Sequence, residues 1–371
     1  MNILVLNWRD IVHPQAGGAE IHFTEIFRRL VNRGHSVTLL TTKFYRSPKH
    51  EIVNGIEIFR LANNFFFNWQ APFLIKKLMK KKQFHCIIDD VNKLPFFSSK
   101  WFSSKPVGAL FHHLFGHTIF EETSKPFGLY IYTMERLFGW GYRSVPCCAV
   151  SESTARELID LGVPAENMDI IENSVDSDHF SPDPSIKKEN ATLLYVGRLK
   201  RYKRIDLIFE AMQILIKKGQ TVSFVIAGSG DDLPYLVRRT KELKIQEHVV
   251  FKGRVSEEEK IDLLRRATIF VNPSLKEGWG ITNIEASACG TAVIANNAPG
   301  LRDSVDHGKT GLLFKENDPH SLACCIEEVL NDSSKRISFQ RQGRDWALKF
   351  SWDDSAERME RWIEKIVTQK V

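Results

Sequence analysis

Two glutamates, Glu277 and Glu285, lie in one short stretch, "EGWGITNIEA", which begins at Glu277. Glycines at 278 and 280 predict a loop whose backbone N–H groups face a ligand, and a helix from about Ile281 adds its positive end. Glu277 then lies at the reacting end of the ligand. Glu285 lies about one turn inside the helix, where it can accept hydrogen bonds from two adjacent hydroxyls. The alternative for Glu285 is a buried helix carboxylate paired with a nearby base.

Two other turns with glycines or basic residues also follow predicted strands. In "QAGGAE", Gly17 and Gly18 bring the backbone close to a ligand at a helix start, or simply form a tight turn. In "VGRLKRYKRID", Arg198 comes just past a strand and Lys203 near the next helix, where both can contact a diphosphate. Because three more basic residues occupy this stretch, a solvated basic turn is the alternative.

The elements that position these turns alternate along the chain. Apolar runs of strand length, such as "NILVLN", "HSVTLLTT" and "ATLLYVGRL", alternate with amphipathic segments such as "AEIHFTEIFRRLVNRG". This alternation predicts parallel strands with crossover helices, in two doubly wound Rossmann-like α/β domains that face each other across a cleft. We expect one domain over 1–175, to which a helix over 352–371 returns, and a second domain over 176–351.

Composition and charge narrow the class of protein. The chain has 371 residues, of which 43% are hydrophobic and 26% charged, an ordinary globular balance that favours about two domains. A net charge of +6 permits acidic partners such as nucleotide phosphates or anionic lipid, and no nucleic acid partner is expected. No apolar run approaches a membrane span, and the N-terminus lacks signal-peptide features. The six cysteines have no zinc spacing, so buried free thiols in a reducing cytosol are expected.

An aromatic and basic stretch in the first half indicates a membrane-surface element. Four aromatics between Phe65 and Trp69 precede a run of lysines with no acid among them. These lysines are Lys76, Lys77, Lys80, Lys81 and Lys82. The alternative is a core-packing helix with a solvated lysine face, and core packing is also the alternative for a second aromatic stretch, "KPFGLYIYTMERLFGWGY".

Several motifs in one order give the chain a family resemblance. They are "GGAE" at 17–20, "VSES" at 150–153, "NSVD" at 173–176, "VGRL" followed by Lys203, "EGWGITNIEA", and "FSWDD" near the C-terminus. Together they resemble glycosyltransferase family 4 over nearly the whole chain. The resemblance implies the GT-B fold and transfer of a sugar from a UDP- or GDP-sugar, with retention at the anomeric carbon. A glycan or lipid-linked acceptor is expected, with the protein in the cytoplasm or peripheral on the inner face of the cytoplasmic membrane.

The resemblance also implies residue roles. Glu277 contacts the donor sugar, Glu285 the ribose, and Arg198 with Lys203 the leaving diphosphate. The other implied donor contacts are Gly17, Gly18, Arg254, Val255, Trp279, Gly280, Ile281 and Thr282, among which the backbone at 254–255 meets the base. Fixed cations and a helix dipole then take the place of a metal, and no cofactor is expected.

A histidine after the central strand of the first domain approaches the donor sugar in this family. Both His112 and His113 follow "VGALF", and the period of two sends them to opposite sides. Motif position favours His112, with His113 as the alternate. Two departures from the family pattern are Ser174, where glycine is usual, and Trp279, where phenylalanine is common.

Other functions share parts of this pattern. A GT-B nucleotide-sugar 2-epimerase uses the same fold and donor but needs acid–base carboxylates. A non-catalytic glycan- or lipid-binding scaffold would not need the charged residues that the chain keeps at 198, 203, 277 and 285. A nucleic-acid binder is disfavoured, because the basic residues form no single stripe with stacking aromatics.

Overall fold

In the computed structural model, which describes residues 1–62 and 66–368, the chain forms two compact α/β units. Unit 1 comprises Met1–Asn173 together with the C-terminal helix from Trp352, and unit 2 comprises Ser174–Ser351. The first boundary lies two residues before the expected one, within the "NSVD" motif.

The strands and helices alternate along the chain as the sequence predicts. The strands are β1 (Asn2–Leu6), β2 (Ser36–Thr42), β3 (His50–Val53), β4 (Ile56–Ala62), β5 (Cys86–Val91), β6 (Val107–Phe111), β7 (Cys147–Ala149), β8 (Met168–Ile170), β9 (Thr192–Val196), β10 (Ser223–Ala227), β11 (Val249–Gly253), β12 (Ile269–Asn272), β13 (Ala292–Asn296) and β14 (Gly311–Phe314).

The helices are α1 (Gly18–Asn32), α2 (Phe67–Met79), α3 (Ser98–Trp101), α4 (Ile119–Glu122), α5 (Lys125–Arg136), α6 (Phe138–Tyr142), α7 (Glu152–Asp160), α8 (Ile205–Lys217), α9 (Leu233–Glu242), α10 (Glu257–Arg266), α11 (Ile281–Ala288), α12 (Leu301–Ser304), α13 (Pro319–Asn331), α14 (Ser333–Ala347) and α15 (Trp352–Thr368). Short 3-10 helices lie at Gly116–Thr118, Ala165–Asn167, Arg201–Lys203 and Gln246–His248.

The sheet of unit 1 has the order β3-β4-β2-β1-β5-β6-β7-β8 and is parallel apart from the antiparallel β3–β4 pair. The chain builds outward from β1 in one direction and from β5 in the other. Strand order therefore reverses between β1 and β5, the position at which open α/β sheets bind ligands beyond the carboxyl ends of their strands.

The sheet of unit 2 has the order β11-β10-β9-β12-β13-β14, and all its strands are parallel. Here strand order reverses between β9 and β12. The loop after β9 carries Arg198 and Lys203, and the loop after β12 carries Glu277, so the predicted charged residues flank this reversal. The doubly wound α/β class that the sequence predicts is confirmed for each unit.

The central strands are apolar runs because helices cover both faces of each sheet. All six residues of β5 and all five of β13 are buried. Helix α15 covers part of the first sheet, packing against α1, β5 and β6. An ion pair between Arg29 and Asp353, 2.7 Å apart, joins α15 to α1. The C-terminal segment is therefore a structural part of unit 1.

The cysteines depart in part from the expectation of buried thiols. All six are free, and Cys86, Cys147, Cys148 and Cys289 are buried. Cys324, by contrast, is exposed on α13 and Cys325 is half-buried. Within residues 1–62 and 66–368, no helix is long and apolar enough to cross a bilayer.

Candidate active site

An ion pair joins two predicted site residues at the edge of the sheet in unit 2. Lys203 Nζ donates to Glu277 Oε1, and the two side chains are 11% and 20% exposed. Burial disfavours the Lys203 ammonium, but the Glu277 carboxylate outweighs that effect and holds the pKa of Lys203 well above its ordinary value. The Lys203 ammonium therefore stays charged at neutral pH, with the Glu277 carboxylate beside it in a partly dry site.

Backbone hydrogen bonds hold the two loops that carry this pair. Leu275 N donates to Tyr202 O at 2.9 Å, which ties the loop after β12 to the turn before Lys203. Glu277 N donates to Pro299 O at 3.2 Å, which ties the same loop to the one after β13. The carboxylate and the ammonium are therefore positioned by main chain as well as by their attraction.

Gly300 permits the second of these contacts. Its φ is +78°, a left-handed conformation that glycine adopts without penalty. A Cβ at this position would lie 2.2 Å from Glu277 O and 2.9 Å from Gly278 C. Any side chain at 300 would therefore push the glutamate loop away.

Gly280 starts helix α11 with φ of +79°. A network of buried side chains fixes the helix behind it, since Asn272 Nδ2 donates to Asn283 Oδ1 at 3.1 Å and Asn283 Nδ2 to Ser304 Oγ at 2.9 Å. The first-turn N–H groups of α11, at Ile281 and Thr282, are thus held beside the glutamate loop. A helix start of this kind favours an anion.

Glu285 lies in α11, with 8% of its side chain exposed. Its Oε1 accepts a hydrogen bond from Lys260 Nζ of α10 at 3.0 Å, and that ammonium lies 4.6 Å from the centroid of the Phe180 ring. For Oε1, Glu285 is therefore the buried carboxylate paired with a base that the sequence offered as the alternative. The other oxygen, Oε2, is buried and has no hydrogen-bond partner among the described residues.

The remaining charged and loop residues of unit 2 lie at the same edge of the sheet. Arg198 is exposed just after β9, and its carbonyl oxygen accepts a hydrogen bond from the buried Tyr195 hydroxyl at 3.0 Å. Arg254 is exposed and Val255 half-buried between β11 and α10. Gly228 N donates to Gly253 O at 2.7 Å, which joins the loops after β10 and β11.

Trp279 occupies a different place from the one expected. Its side chain is 2% exposed and packs edge-on against Phe350, with ring centroids 4.8 Å apart. Phe350 packs in turn against Trp346. The indole thus supports the glutamate loop from the interior of unit 2, and a role in lining a donor pocket stays a prediction for its backbone.

In unit 1, the glycine turn after β1 is held by a carboxylate. Glu20 Oε2 accepts a hydrogen bond from Gly17 N at 2.7 Å, so this N–H is engaged within the helix cap of α1. Gly18, the first residue of α1, is exposed. The backbone of Gly17 thus takes part in a tight turn, as the alternative interpretation expected. Contact between this turn and a phosphate stays a prediction.

His112 is buried after β6 and lies against Asp90. Its Nε2 is 2.5 Å from Asp90 Oδ1. When the Asp90 oxygen accepts this hydrogen bond, Nε2 is the donor and Nδ1 is left as the ring's acceptor nitrogen. His113 is half-buried, and its ring packs edge-on against Phe115 with centroids 4.6 Å apart.

A chain of buried hydrogen bonds connects His112 to the glycine turn. Asp90 Oδ2 accepts from Asn7 Nδ2 at 2.6 Å, and Asn7 Oδ1 accepts from Asn92 Nδ2 at 2.9 Å. Asn92 Nδ2 also lies 3.1 Å from Glu20 Oε1, and Glu20 holds Gly17. The network spans the β1/β5 reversal and fixes the turn and the histidine relative to each other.

Sequence reasoning missed the residues that support the site. They are Asn7, Glu20, Asp90 and Asn92 in unit 1, and Tyr195, Lys260 and Gly300 in unit 2. One signal was present, since the apolar run "HCIIDD" ends in two acids and a period of two sends them to opposite faces. Asp90 meets His112, whereas Asp89 accepts from Ser98 N and the Tyr142 hydroxyl.

Two sequence models of known families match the chain. The one described as "Glycosyl transferases group 1" matches residues 176–346, and the one described as "Glycosyltransferase Family 4" matches residues 16–179. The two matches together reach into both units, in the order that the motifs predict. The chain belongs to glycosyltransferase family 4. It is therefore a member of a family of glycosyltransferase enzymes.

Curated relatives agree with this family. An uncharacterized glycosyltransferase of Methanocaldococcus jannaschii is 28% identical, over 96% of this chain and 96% of its own length. The gpi3 subunit of the Schizosaccharomyces pombe phosphatidylinositol N-acetylglucosaminyltransferase is 24% identical, over 97% of this chain and 80% of its own. A GDP-mannose-dependent alpha-(1-6)-phosphatidylinositol monomannoside mannosyltransferase of Mycobacterium tuberculosis is 28% identical, over 57% of this chain and 59% of its own.

Solved structures share the fold. Anabaena HepE, in complex with UDP and glucose, has a TM-score of 0.78 and 18% identity, covering 98% of this chain and 100% of its own. A sucrose-phosphate synthase of Thermosynechococcus elongatus has a TM-score of 0.83 and 20% identity, covering 99% of each chain. The family 4 chain thus has the GT-B fold.

The close approach at Gly300 gives a testable prediction. Gly300→Ala should lower the melting temperature and reduce sugar transfer about 10²-fold, because the new methyl group displaces the Glu277 loop by roughly an ångström. Gly308→Ala is the matched control, since its φ of +81° is similar and nothing lies within 4 Å of the added Cβ. It should cost about 1–3 kcal/mol of backbone strain and leave transfer unchanged. Thermal unfolding and initial rates measure both effects, and equal rates for the two variants would contradict the role of Gly300.

Proposed function

We propose that this family 4 glycosyltransferase moves a sugar from a UDP- or GDP-sugar to a glycan or lipid-linked acceptor, with retention at the anomeric carbon. Unit 2 binds the donor at its β9/β12 reversal, and unit 1 binds the acceptor. The structure of HepE with UDP and glucose supports a nucleotide-sugar donor for a protein of this fold.

The observation that carries the donor proposal is Oε2 of Glu285, which has no hydrogen-bond partner within the described part of the chain. A buried carboxylate oxygen in this state costs free energy, on the order of 1–3 kcal/mol. A ribose has two adjacent hydroxyls, and either can donate a hydrogen bond to Oε2. Lys260 Nζ meanwhile keeps its hydrogen bond to Oε1. Arg198, Lys203 and the start of α11 belong to the same unit, which supports a single nucleotide diphosphate ligand for this site.

The Lys203–Glu277 pair suggests how the donor reacts. A bound diphosphate would share the Lys203 ammonium with Glu277, and Arg198 would add a second cation. As the sugar–phosphate bond breaks, negative charge grows on the diphosphate. These fixed cations therefore stabilise the transition state more than they stabilise the bound donor in its ground state. Glu277 is then free to accept hydrogen bonds from the sugar hydroxyls. This assignment keeps Glu277 and Lys203 as catalytic residues.

In unit 1 we assign His112 to the reacting sugar. Its Nε2 proton is directed to Asp90, so its Nδ1 would accept a hydrogen bond from a sugar hydroxyl. Asp90 is then a positioning residue, which sets the ring orientation and tautomer. His113 is the alternate, and its ring packs edge-on against Phe115.

Relatives named for phosphatidylinositol or a phosphatidylinositol monomannoside support a lipid-linked acceptor. With a lipid-linked acceptor, we place the protein in the cytoplasm or, as a peripheral protein, on the inner face of the cytoplasmic membrane.

The donor proposal is tested by thermal-shift screening against UDP-, GDP- and ADP-sugars, followed by kinetics with the donor that binds. A donor at 100 times its dissociation constant should stabilise the protein by about 2.7 kcal/mol. Glu277→Gln should lower turnover about 10²-fold, because it removes a contact formed with the reacting sugar, and should change nucleotide affinity little. Near-normal turnover of Glu277→Gln would show that the role is misassigned. A free 2-epimer formed without acceptor would favour an epimerase instead.

Metal independence is a second prediction of the mechanism. Transfer should continue in excess EDTA, because Arg198, Lys203 and the start of α11 supply the positive charge that a divalent cation would bring. The measurement is the initial rate with and without chelator, after dialysis against EDTA. A rate that vanishes in EDTA and returns on addition of Mg²⁺ or Mn²⁺ would contradict this part of the proposal.

A further inference from the structure

Helix α2 of unit 1 exposes one face with two chemical zones. Phe66, Trp69 and Phe73 are 60%, 60% and 75% exposed, and the same stripe continues through the exposed Lys76 and Lys80. Steps of three and four residues place these side chains on one side of a helix. The opposite side is buried in the core, through Phe67, Ala71, Ile75 and Leu78. The exposed face is thus aromatic at its N-terminal end and cationic at its C-terminal end.

Helices α5 and α6 carry further exposed apolar side chains, and α5 contacts α2 through Tyr130. Asn68 Nδ2 and Trp69 Nε1 donate to the Tyr130 hydroxyl at 2.9 and 3.0 Å, so α5 lies beside α2. The two helices and the residue between them expose four large apolar side chains: Phe127 (36%), Leu129 (57%), Leu137 (39%) and Trp140 (62%). Clustered exposed apolar side chains on adjacent helices are typical of an interaction surface.

The exposed charged residues of segments 66–82 and 125–143 are all basic. Residues 66–82 contain no aspartate or glutamate, and 125–143 contain Glu135 as their one acid. Glu135 is buried and accepts from the backbone N of Phe115 and Gly116 at 2.6 and 2.9 Å. The exposed cations are Lys76, Lys77, Lys80, Lys81, Lys125, Arg136 and Arg143. The exposed acid Glu121 lies on the preceding helix α4, which packs against α5.

The structure revises the membership of this surface. Lys82 donates to Glu57 Oε2 at 3.0 Å, and to the Ser36 and Thr38 hydroxyls at the same distance. It therefore belongs to the sheet edge, and the predicted five-lysine cluster has four surface members. Phe67 is in the core, and Phe65 lies outside the described residues.

We propose that this aromatic–lysine face, the exposed side chains of α2, α5 and α6 named above, docks the protein on an anionic lipid bilayer. Aromatic rings partition into the headgroup region, and lysines beside them attract anionic headgroups. Protein interfaces instead deplete lysine, so the combination favours lipid over a protein partner. The surface belongs to unit 1, and the proposal goes beyond the transfer reaction.

The test is co-sedimentation of the full chain with vesicles of equal parts phosphatidylcholine and phosphatidylglycerol, or of phosphatidylcholine alone. One variant replaces the four surface lysines of α2 by glutamine: Lys76→Gln, Lys77→Gln, Lys80→Gln and Lys81→Gln. The matched control replaces four exposed lysines of unit 2: Lys187→Gln, Lys217→Gln, Lys241→Gln and Lys315→Gln. Both variants lower the formal net charge by four, from +6 to +2. A third variant, Phe73→Ser, removes an exposed apolar side chain and leaves the net charge unchanged.

The α2 lysine variant should bind the anionic vesicles at least about 10²-fold more weakly than wild type, and the unit 2 variant should bind nearly as well as wild type. Wild-type binding should fall steeply between about 0.1 M and 1 M salt, as screening length shortens from about 10 Å to about 3 Å. Phe73→Ser should weaken binding at both salt concentrations. Hydrolysis of the donor should be unchanged in all three variants, which also shows that they are folded.

Equal loss of binding in the two lysine variants would overturn the proposal, because net charge rather than this face would then explain the attraction. Absence of wild-type binding to anionic vesicles would also overturn it, and would return the face to a protein partner or a solvated surface.

Discussion

The ion pair between Lys203 and Glu277 is the interaction on which the arrangement of unit 2 depends. A lysine and a glutamate this far from solvent each need an opposite charge, since an unpaired partner would leave a poorly solvated charge behind. To bring them together, the fold places their loops on strands flanking the β9/β12 reversal. The loops are then fastened by backbone bonds from Leu275 and Glu277, and by the close packing at Gly300. The pair is thus held in place by main-chain contacts as well as by its own attraction.

The residues at the strand-order reversal differ in chemistry between the two sheets. In unit 2 the reversal carries charges and a helix start, with one glutamate oxygen lacking a partner among the described residues. In unit 1 the reversal is bridged by a hydrogen-bond network of asparagine amides and carboxyl groups, which ends at His112. The first arrangement suits a ligand that brings negative charge and hydroxyls. The second is a rigid support for one histidine and one glycine turn.

Much of this organisation could be predicted from the sequence. Strand and helix alternation indicated the two α/β units, because buried parallel strands are continuous apolar runs, and the motifs indicated the residues at the strand ends. What could not be predicted comes from distant residues meeting in space. Lys260 beside Glu285, Asp90 beside His112 and Gly300 beneath Glu277 follow from packing rather than from local pattern. The burial of Trp279 against Phe350 also follows from such packing, because an aromatic residue in a glycine loop suits a pocket and a core equally well.

The central claim, that a nucleotide's ribose meets Oε2 of Glu285, has a direct measurement. Calorimetric titration compares UDP and GDP with their 2′,3′-dideoxy analogues, on wild type and on Glu285→Ala. Because a hydrogen bond to a charged group contributes about 1.5–3 kcal/mol, wild type should prefer the hydroxyl-bearing form of the nucleotide that binds by about 10- to 100-fold. Glu285→Ala should bind the two forms with nearly equal affinity. The same preference in the variant as in wild type would contradict this account of the donor site.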